Sequence, residues 1–201
     1  MKRVSPHTPL QKLLGFQYSI APALRQIMKD NRWNTHWGMT TVKLWTSALP
    51  ALRMGLPEAF SHARAIILNI RFPAGHASTS WGQCPDSWRA PEDNYLGVTA
   101  TTEMLLQSQG EAMRLFPCWP REMPAAFRGL PARGGFIVTA QWDPAKSLTA
   151  KIDSLAGEQC RVRWPGELSV TCDGKNIATR REGRDVIFPT RRGASFVLSG
   201  E

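Results

Sequence analysis

Several residue patterns that would assign a function at once are scarce in this chain. Only four of its 201 residues are cysteines, and no two of them form the Cys-x-x-Cys pair that zinc sites use. A chain of this length does not need disulfides to fold, so reduced thiols are expected at Cys84, Cys118, Cys160 and Cys172. The histidines show no metal-ligand spacing, and there is no Gly-rich phosphate loop. We therefore expect no metal site and no organic cofactor.

Signals for a membrane or a nucleic acid are missing as well. No apolar run approaches the roughly 18 residues of a membrane helix. The basic start Met1–Pro6 is not followed by the apolar segment of a signal peptide. The net charge of +9 is spread along the chain rather than gathered into a basic groove, and no nucleic-acid-binding signature occurs. We expect no membrane and no nucleic acid among the partners; a polyanion binder is the weakest alternative, and the compartment is not assigned.

The composition is that of a globular protein that is rich in tryptophan. Hydrophobic residues make up 42% of the chain, and eight Trp stand against two Tyr. Trp rings can stack on the apolar faces of sugar rings, which would suit a carbohydrate site. The alternative is that these rings fill the core, as most Trp side chains do.

Helical spacing dominates the first half. Apolar residues recur every three or four positions from Gly38 to Leu52, with Pro50 predicting a kink or an early stop and Gly55 predicting the helix end. A second helix opens at Pro57 and a third runs from near Asn94 to Gly110.

The second half alternates with the period of a strand. Apolar residues alternate in six or seven short segments between Phe136 and Leu198, and Asp173-Gly174 is a strong hairpin signal. This order predicts an α+β chain in two parts, whose second part is a small antiparallel β-sandwich. The predicted boundaries are a helical part over 1–115, a Pro-rich linker over 116–133 and the sandwich over 134–201.

Three motifs between these halves carry a resemblance to a known family. They are Glu-Met-Leu-Leu-Gln-Ser at 103–108, Pro-Cys-Trp-Pro at 117–120 and Leu-Pro-Ala-Arg-Gly-Gly-Phe at 130–136. Together they resemble the junction in glycoside hydrolase family 95 where a helical catalytic barrel passes into a C-terminal β-domain. The resemblance implies that the helical half is an incomplete (α/α) barrel of helical hairpins. An upstream barrel segment and the general-acid Glu would then lie outside this chain.

The same resemblance implies catalytic residues. An inverting glycosidase pairs a general acid with a general base, and the two carboxyl groups lie about 6.5–9.5 Å apart. In family 95 the base lies in an Asp-x-Asn element just before the last barrel helix, which corresponds here to Glu92-Asp93-Asn94. Either Glu92 or Asp93 would be the base, and Asn94 would hold the reactive group or a sugar hydroxyl. The alternative is a helix N-cap whose acidic residues favour the positive end of the helix dipole.

Three further residues are candidates for holding the sugar. Trp37 could stack on it and His36 could bond to a hydroxyl, although the pair could equally staple and cap the following helix. Trp81, in the long polar loop of residues 72–91, could line the same pocket.

The resemblance therefore implies part of a fucosidase-like, inverting glycosidase that acts on terminal glycosidic bonds of a carbohydrate substrate and is inactive alone. The alternative is a non-catalytic carbohydrate-binding or interaction remnant, in which Trp142 and Trp164 would form the binding platform. Relatives of this family are often secreted or periplasmic.

Overall fold

The computed structural model describes residues 22–26, 28, 47–68 and 92–200. The chain divides into two compact units, Met1–Thr101 and Thr102–Glu201. No helix in the described ranges is long and apolar enough to cross a membrane.

Three helices have defined bounds: α1 Leu49–Met54, α2 Ala59–Leu68 and α3 Glu92–Leu105. Residues 22–26 are also helical. Pro50 lies in the first turn of α1, where a residue needs no intrahelical N–H donor, and Ser47 and Ala48 before it form a π-helical turn. Residues 38–46 lie outside the described residues, so the predicted kink or early stop at Pro50 stays a prediction. Gly55 ends α1 with a φ of 70°, which confirms the predicted stop.

Small and apolar residues of α1 and α2 form the helical unit's described core. Ala51 and Leu52 of α1 and Ala59 and Ala63 of α2 are all fully buried. A hydrogen bond of 2.8 Å between Ser47 Oγ and His62 Nε2 joins the segment before α1 to α2. The helical-hairpin barrel remains a prediction, since the described helices are few.

The third helix ends earlier than its sequence predicts. Helical spacing indicated an end at Gly110, but α3 stops at Leu105 and the next two residues form strand β1, Leu106–Gln107. The reason is pairing: Leu106 lies opposite Leu115 and Gln107 opposite Arg114 of strand β2, Met113–Leu115. Strand pairing here overrides a continuous helical pattern.

Eleven strands form two sheets within the described part of the chain. The first sheet has the order β1-β2-β6-β10-β9 and the second the order β3-β4-β5-β11-β7-β8. All described pairs are antiparallel except β2 with β6. The remaining bounds are β3 Ala125–Ala132, β4 Phe136–Asp143, β5 Ser147–Ser154, β6 Cys160–Arg163, β7 Leu168–Cys172, β8 Lys175–Asn176, β9 Arg180–Glu182, β10 Asp185–Phe188 and β11 Ser195–Gly200.

The predicted β-sandwich is confirmed. The alternating segments from Phe136 onward are strands, and their apolar sets face one shared core between the two sheets. Asp173 and Gly174 both have positive φ, 51° and 74°, in the two-residue turn between β7 and β8, as a type I′ turn requires. Phe188 of the first sheet and Phe196 of the second meet across the core with ring centroids 5.4 Å apart.

The segment predicted as a linker differs from expectation. Residues 125–132 form β3, which pairs with β4, so much of 116–133 belongs to the second sheet. Pro131 fits there because β3 is an edge strand, where a missing backbone N–H need not break a ladder. Proline content alone does not distinguish an edge strand from a linker.

Candidate functional site

The predicted catalytic residues lie at the start of one helix. Glu92, Asp93 and Asn94 form the first turn of α3, and their side chains lie outside what the structure describes. The first turn of a helix carries the partial positive charge of the helix dipole, which stabilises negative charge nearby. A first turn with this composition suits either a general base or an N-terminal cap.

The structure does not describe the three residues that were predicted to hold the sugar. His36, Trp37 and Trp81 all lie outside the described residues. Within the described part of the chain no group of three His, Cys, Asp or Glu side chains could hold a metal ion.

A buried polar network joins the last turn of α3 to the first sheet. The Gln107 side-chain amide donates to the backbone carbonyl of Glu103 at 2.9 Å, and its oxygen accepts a bond of 2.9 Å from Arg114. The buried Glu103 carboxylate also accepts a hydrogen bond from Gln109. Burial is the main cause that lowers the pKa of Arg114. The Glu and Gln of the Glu-Met-Leu-Leu-Gln-Ser motif therefore fix the helix end against the sheet.

The Arg-Gly-Gly motif forms the tight turn between β3 and β4. Gly134 and Gly135 have φ of 86° and 69°, a region that residues with a side chain rarely adopt. The Arg133 backbone N–H donates to Ser108 Oγ at 3.2 Å, and its guanidinium donates to the Gln109 carbonyl at 2.8 Å. This turn thus anchors the loop that follows β1.

An open cleft of about 390 Å³ lies where three segments of the sandwich unit meet. We call it the β1–β2 cleft; its lining comes from residues 108–113, 133–136 and 158–161. Its polar wall consists of Ser108, Glu111, Arg133, Glu158, Gln159 and Arg161. Its volume falls in the range typical of small-molecule sites.

Sequence reasoning missed this cleft. Its residues come from three segments that include the ends of strands β2, β4 and β6 and show no common spacing, and only the folded register brings them together. The one available signal was the Arg133-Gly134-Gly135 motif, which the sequence identifies as a turn.

Charges next to the cleft are strongly paired. Asp185 is buried on β10 and receives Arg163 Nε at 2.6 Å and an Arg161 nitrogen at 3.3 Å. Arg161 also contacts Glu182 at 2.9 Å. Burial acts to raise the pKa of Asp185, but the hydrogen bonds and charges of Arg163 and Arg161 outweigh it and lower that pKa.

The two tryptophans of the alternative hypothesis do not form a sugar platform. Trp164 is 1% exposed, and its ring packs against Trp142 with centroids 5.5 Å apart. The Trp142 indole donates to the Arg121 carbonyl at 2.9 Å, and the Arg121 guanidinium lies 4.2 Å from the Trp164 ring centroid. Trp164 belongs to the core between the sheets and Trp142 packs against that core, so the role of both rings is packing.

Comparison with known proteins agrees with this architecture. Residues 107–198 match the family model described as "Glycoside hydrolase family 95, C-terminal domain". The matched range begins at the last residue of β1 and covers nearly the whole sandwich. No curated protein matches the chain.

Proposed function

We propose that the chain forms the C-terminal part of an enzyme that hydrolyses terminal glycosidic bonds, because residues 107–198 match the C-terminal domain of glycoside hydrolase family 95. The observation that supports the proposal is the position of the matched range, which starts at Gln107, directly after α3. The first turn of α3 carries Glu92-Asp93-Asn94, the element that the resemblance to family 95 assigns to the general base.

The proposed mechanism is hydrolysis with inversion on a fucosidase-like substrate. Glu92 or Asp93 removes a proton from a water molecule beside the anomeric carbon, and Asn94 holds that carboxylate or a sugar hydroxyl in place. A second carboxyl group, supplied from outside this chain, protonates the leaving oxygen from the other side of the sugar. His36, Trp37 and Trp81 are the proposed contacts that hold the sugar against these groups.

The proposal predicts that the chain alone is inactive, because general-base help without general-acid help forfeits about 10²–10⁴-fold in rate. The test is incubation of the purified chain with nitrophenyl fucoside and nitrophenyl galactoside. No release of nitrophenol above that of a Glu92→Gln control is expected. Robust release that this substitution abolishes would show a complete site in the chain and overturn the division of carboxylates.

A binding measurement complements the activity assay, because it tests for a signal that the proposal expects to be present. A retained half-site should hold the released sugar weakly, and fucose and galactose are the probes. We expect resonances of the sugar to respond to the wild-type chain and to respond less strongly to the Asn94→Ala variant. A response unchanged by this substitution would remove Asn94 from the proposed site.

A further inference from the structure

We propose that the β1–β2 cleft is a second carbohydrate-binding site, which takes a neutral sugar and lies on the sandwich itself. The cleft is built entirely from residues 108–161 of the sandwich unit and includes none of the proposed catalytic residues. The choice of a carbohydrate as the ligand class rests on the proposed function. The location and the charge preference rest on the cleft alone.

The hydrogen-bonding groups of the cleft match a ring of adjacent hydroxyls. Each sugar hydroxyl both donates and accepts, so a binding site needs acceptors and donors side by side. Glu111 and Glu158 supply carboxylate acceptors, and neither forms a salt bridge within the described part of the chain. Arg133 and Gln159 supply donors that can reach two neighbouring oxygens.

The cleft is held open by contacts that do not involve a ligand. Arg133 fastens the loop at Ser108 and Gln109, and the Glu158 backbone carbonyl accepts a bond of 2.5 Å from Thr190 Oγ1. The backbone of Glu158 is therefore fixed at the edge of the cleft, and its side chain is exposed. A preformed wall of this kind lowers the entropy cost of binding.

The charge balance selects a neutral sugar over an acidic one. Arg161 pairs with Glu182 and Asp185, and these two acids also pair with Arg180 and Arg163. Arg163 also acts electrostatically on Glu111. Together with Arg133 and Glu158 this makes four guanidinium groups and four carboxylates, so a uronic or sialic acid would add a carboxylate that no excess positive charge offsets.

The affinity should be modest because the cleft lacks a stacking surface. Its one aromatic lining residue, Phe136, is 3% exposed and belongs to the core. Recognition then depends on hydrogen bonds that exchange for bonds to water, which leaves a small net gain for each bond. We expect a Kd on the order of 1 mM for a monosaccharide.

The test uses the full chain and sugar-detected NMR titrations with galactose, fucose, xylose and glucuronic acid. Glu158→Gln removes one carboxylate charge and should weaken binding of the neutral sugars by about tenfold, as expected for a lost charge-assisted bond. Glu122→Gln makes the same change at an exposed position outside the cleft and should leave binding unchanged. Glucuronic acid should bind the wild-type chain more weakly than any neutral sugar tested.

A second variant, which blocks the cleft sterically, tests the proposal even if Glu158→Gln has no measurable effect on sugar binding. Gly110 lines the cleft, its φ lies outside the left-handed region, and an added Cβ would meet nothing within 4 Å. Gly110→Trp should therefore fold and abolish binding in the cleft, whereas Ala145→Trp, at an exposed turn elsewhere, should not affect it. Absence of binding to the wild type at about 50 mM sugar, or equal binding by Gly110→Trp and Ala145→Trp, would overturn the proposal.

The catalytic and cleft proposals fail separately. Glu92→Gln lies outside the cleft and should leave cleft binding unchanged. Loss of the signal on Glu92→Gln but not on Gly110→Trp would assign the sugar to the catalytic half-site and reject the cleft. Loss on Gly110→Trp alone would support the cleft whatever the outcome of the activity assay.

Discussion

The Arg-Gly-Gly turn allows a stability prediction whose magnitude can be worked from the structure. A Cβ added at Gly135 would lie 2.9 Å from Ala156 Cβ and 3.4 Å from the Ala156 backbone nitrogen. The Leu155 N–H donates to the Gly135 carbonyl at 2.7 Å, which holds the two segments together and prevents them from moving apart cheaply. Gly135→Ala must therefore meet a steric cost as well as a conformational one.

Gly174 isolates the conformational part. Its φ of 74° is close to the 69° of Gly135, but an added Cβ there would meet nothing within 4 Å. Gly174→Ala should cost about 1 kcal/mol, the penalty of a left-handed residue offset by a less flexible unfolded chain. Gly135→Ala should cost about 2–4 kcal/mol, because overpacking adds about 1–3 kcal/mol.

Urea unfolding of both variants beside the wild type measures the difference. The slope of free energy against urea should stay constant, so midpoints report stability directly. Equal losses of free energy in the two variants would refute the argument, since they would show that the close approach to Ala156 has no energetic consequence.

Three further results are expected. Asp185→Asn should destabilise the sandwich by about 1–3 kcal/mol near neutral pH. Because the folded-state pKa of Asp185 is lowered, this loss should be full above about pH 4 and should shrink as the pH falls through that lowered pKa. A difference in unfolding free energy that does not change with pH would reject the pairing with Arg161 and Arg163. Burial raises the pKa of Cys118 to about 11, so alkylation of Cys118, followed by mass spectrometry, should accelerate about tenfold per pH unit from pH 8 to pH 10, and a plateau near pH 9 would contradict the burial. Residues 102–201 expressed alone should unfold cooperatively, since one core is shared by both sheets, and a gradual loss of near-ultraviolet circular dichroism would argue against an independent unit.

The sequence predicted the sandwich well because its strands carry local signals. Alternation from Phe136 to Leu198 identifies which face each residue occupies, and Asp173-Gly174 identifies a turn by its backbone requirement. Strands β1 and β3 escaped detection for a different reason. Leu106–Gln107 continues a helical pattern and Pro131 marks a break, and only pairing with β2 and β4 makes either segment a strand.

The two candidate sites also differ in whether a local sequence pattern or a long-range contact defines them. A family resemblance can identify Glu92, Asp93 and Asn94, because their position before Glu-Met-Leu-Leu-Gln-Ser can be read directly from the sequence. The β1–β2 cleft depends on long-range contacts, such as that between Arg133 and Gln109, which no local pattern encodes. The hydrogen bonds of Glu103 and Gln107 could not be predicted either, because the chain passes from helix α3 to strand β1 between these two residues.

The central claim is that a carboxylate in the first turn of α3 is the base of a glycosidase. The direct measurement is the kcat of the longest open reading frame that contains this chain, on aryl fucoside or galactoside, with Glu92→Gln, Asp93→Asn and the exposed control Glu122→Gln. The account predicts that one of the first two lowers kcat by about 10²–10⁴-fold with little change in KM, and that the control does neither. Turnover unaffected by both Glu92→Gln and Asp93→Asn would contradict it.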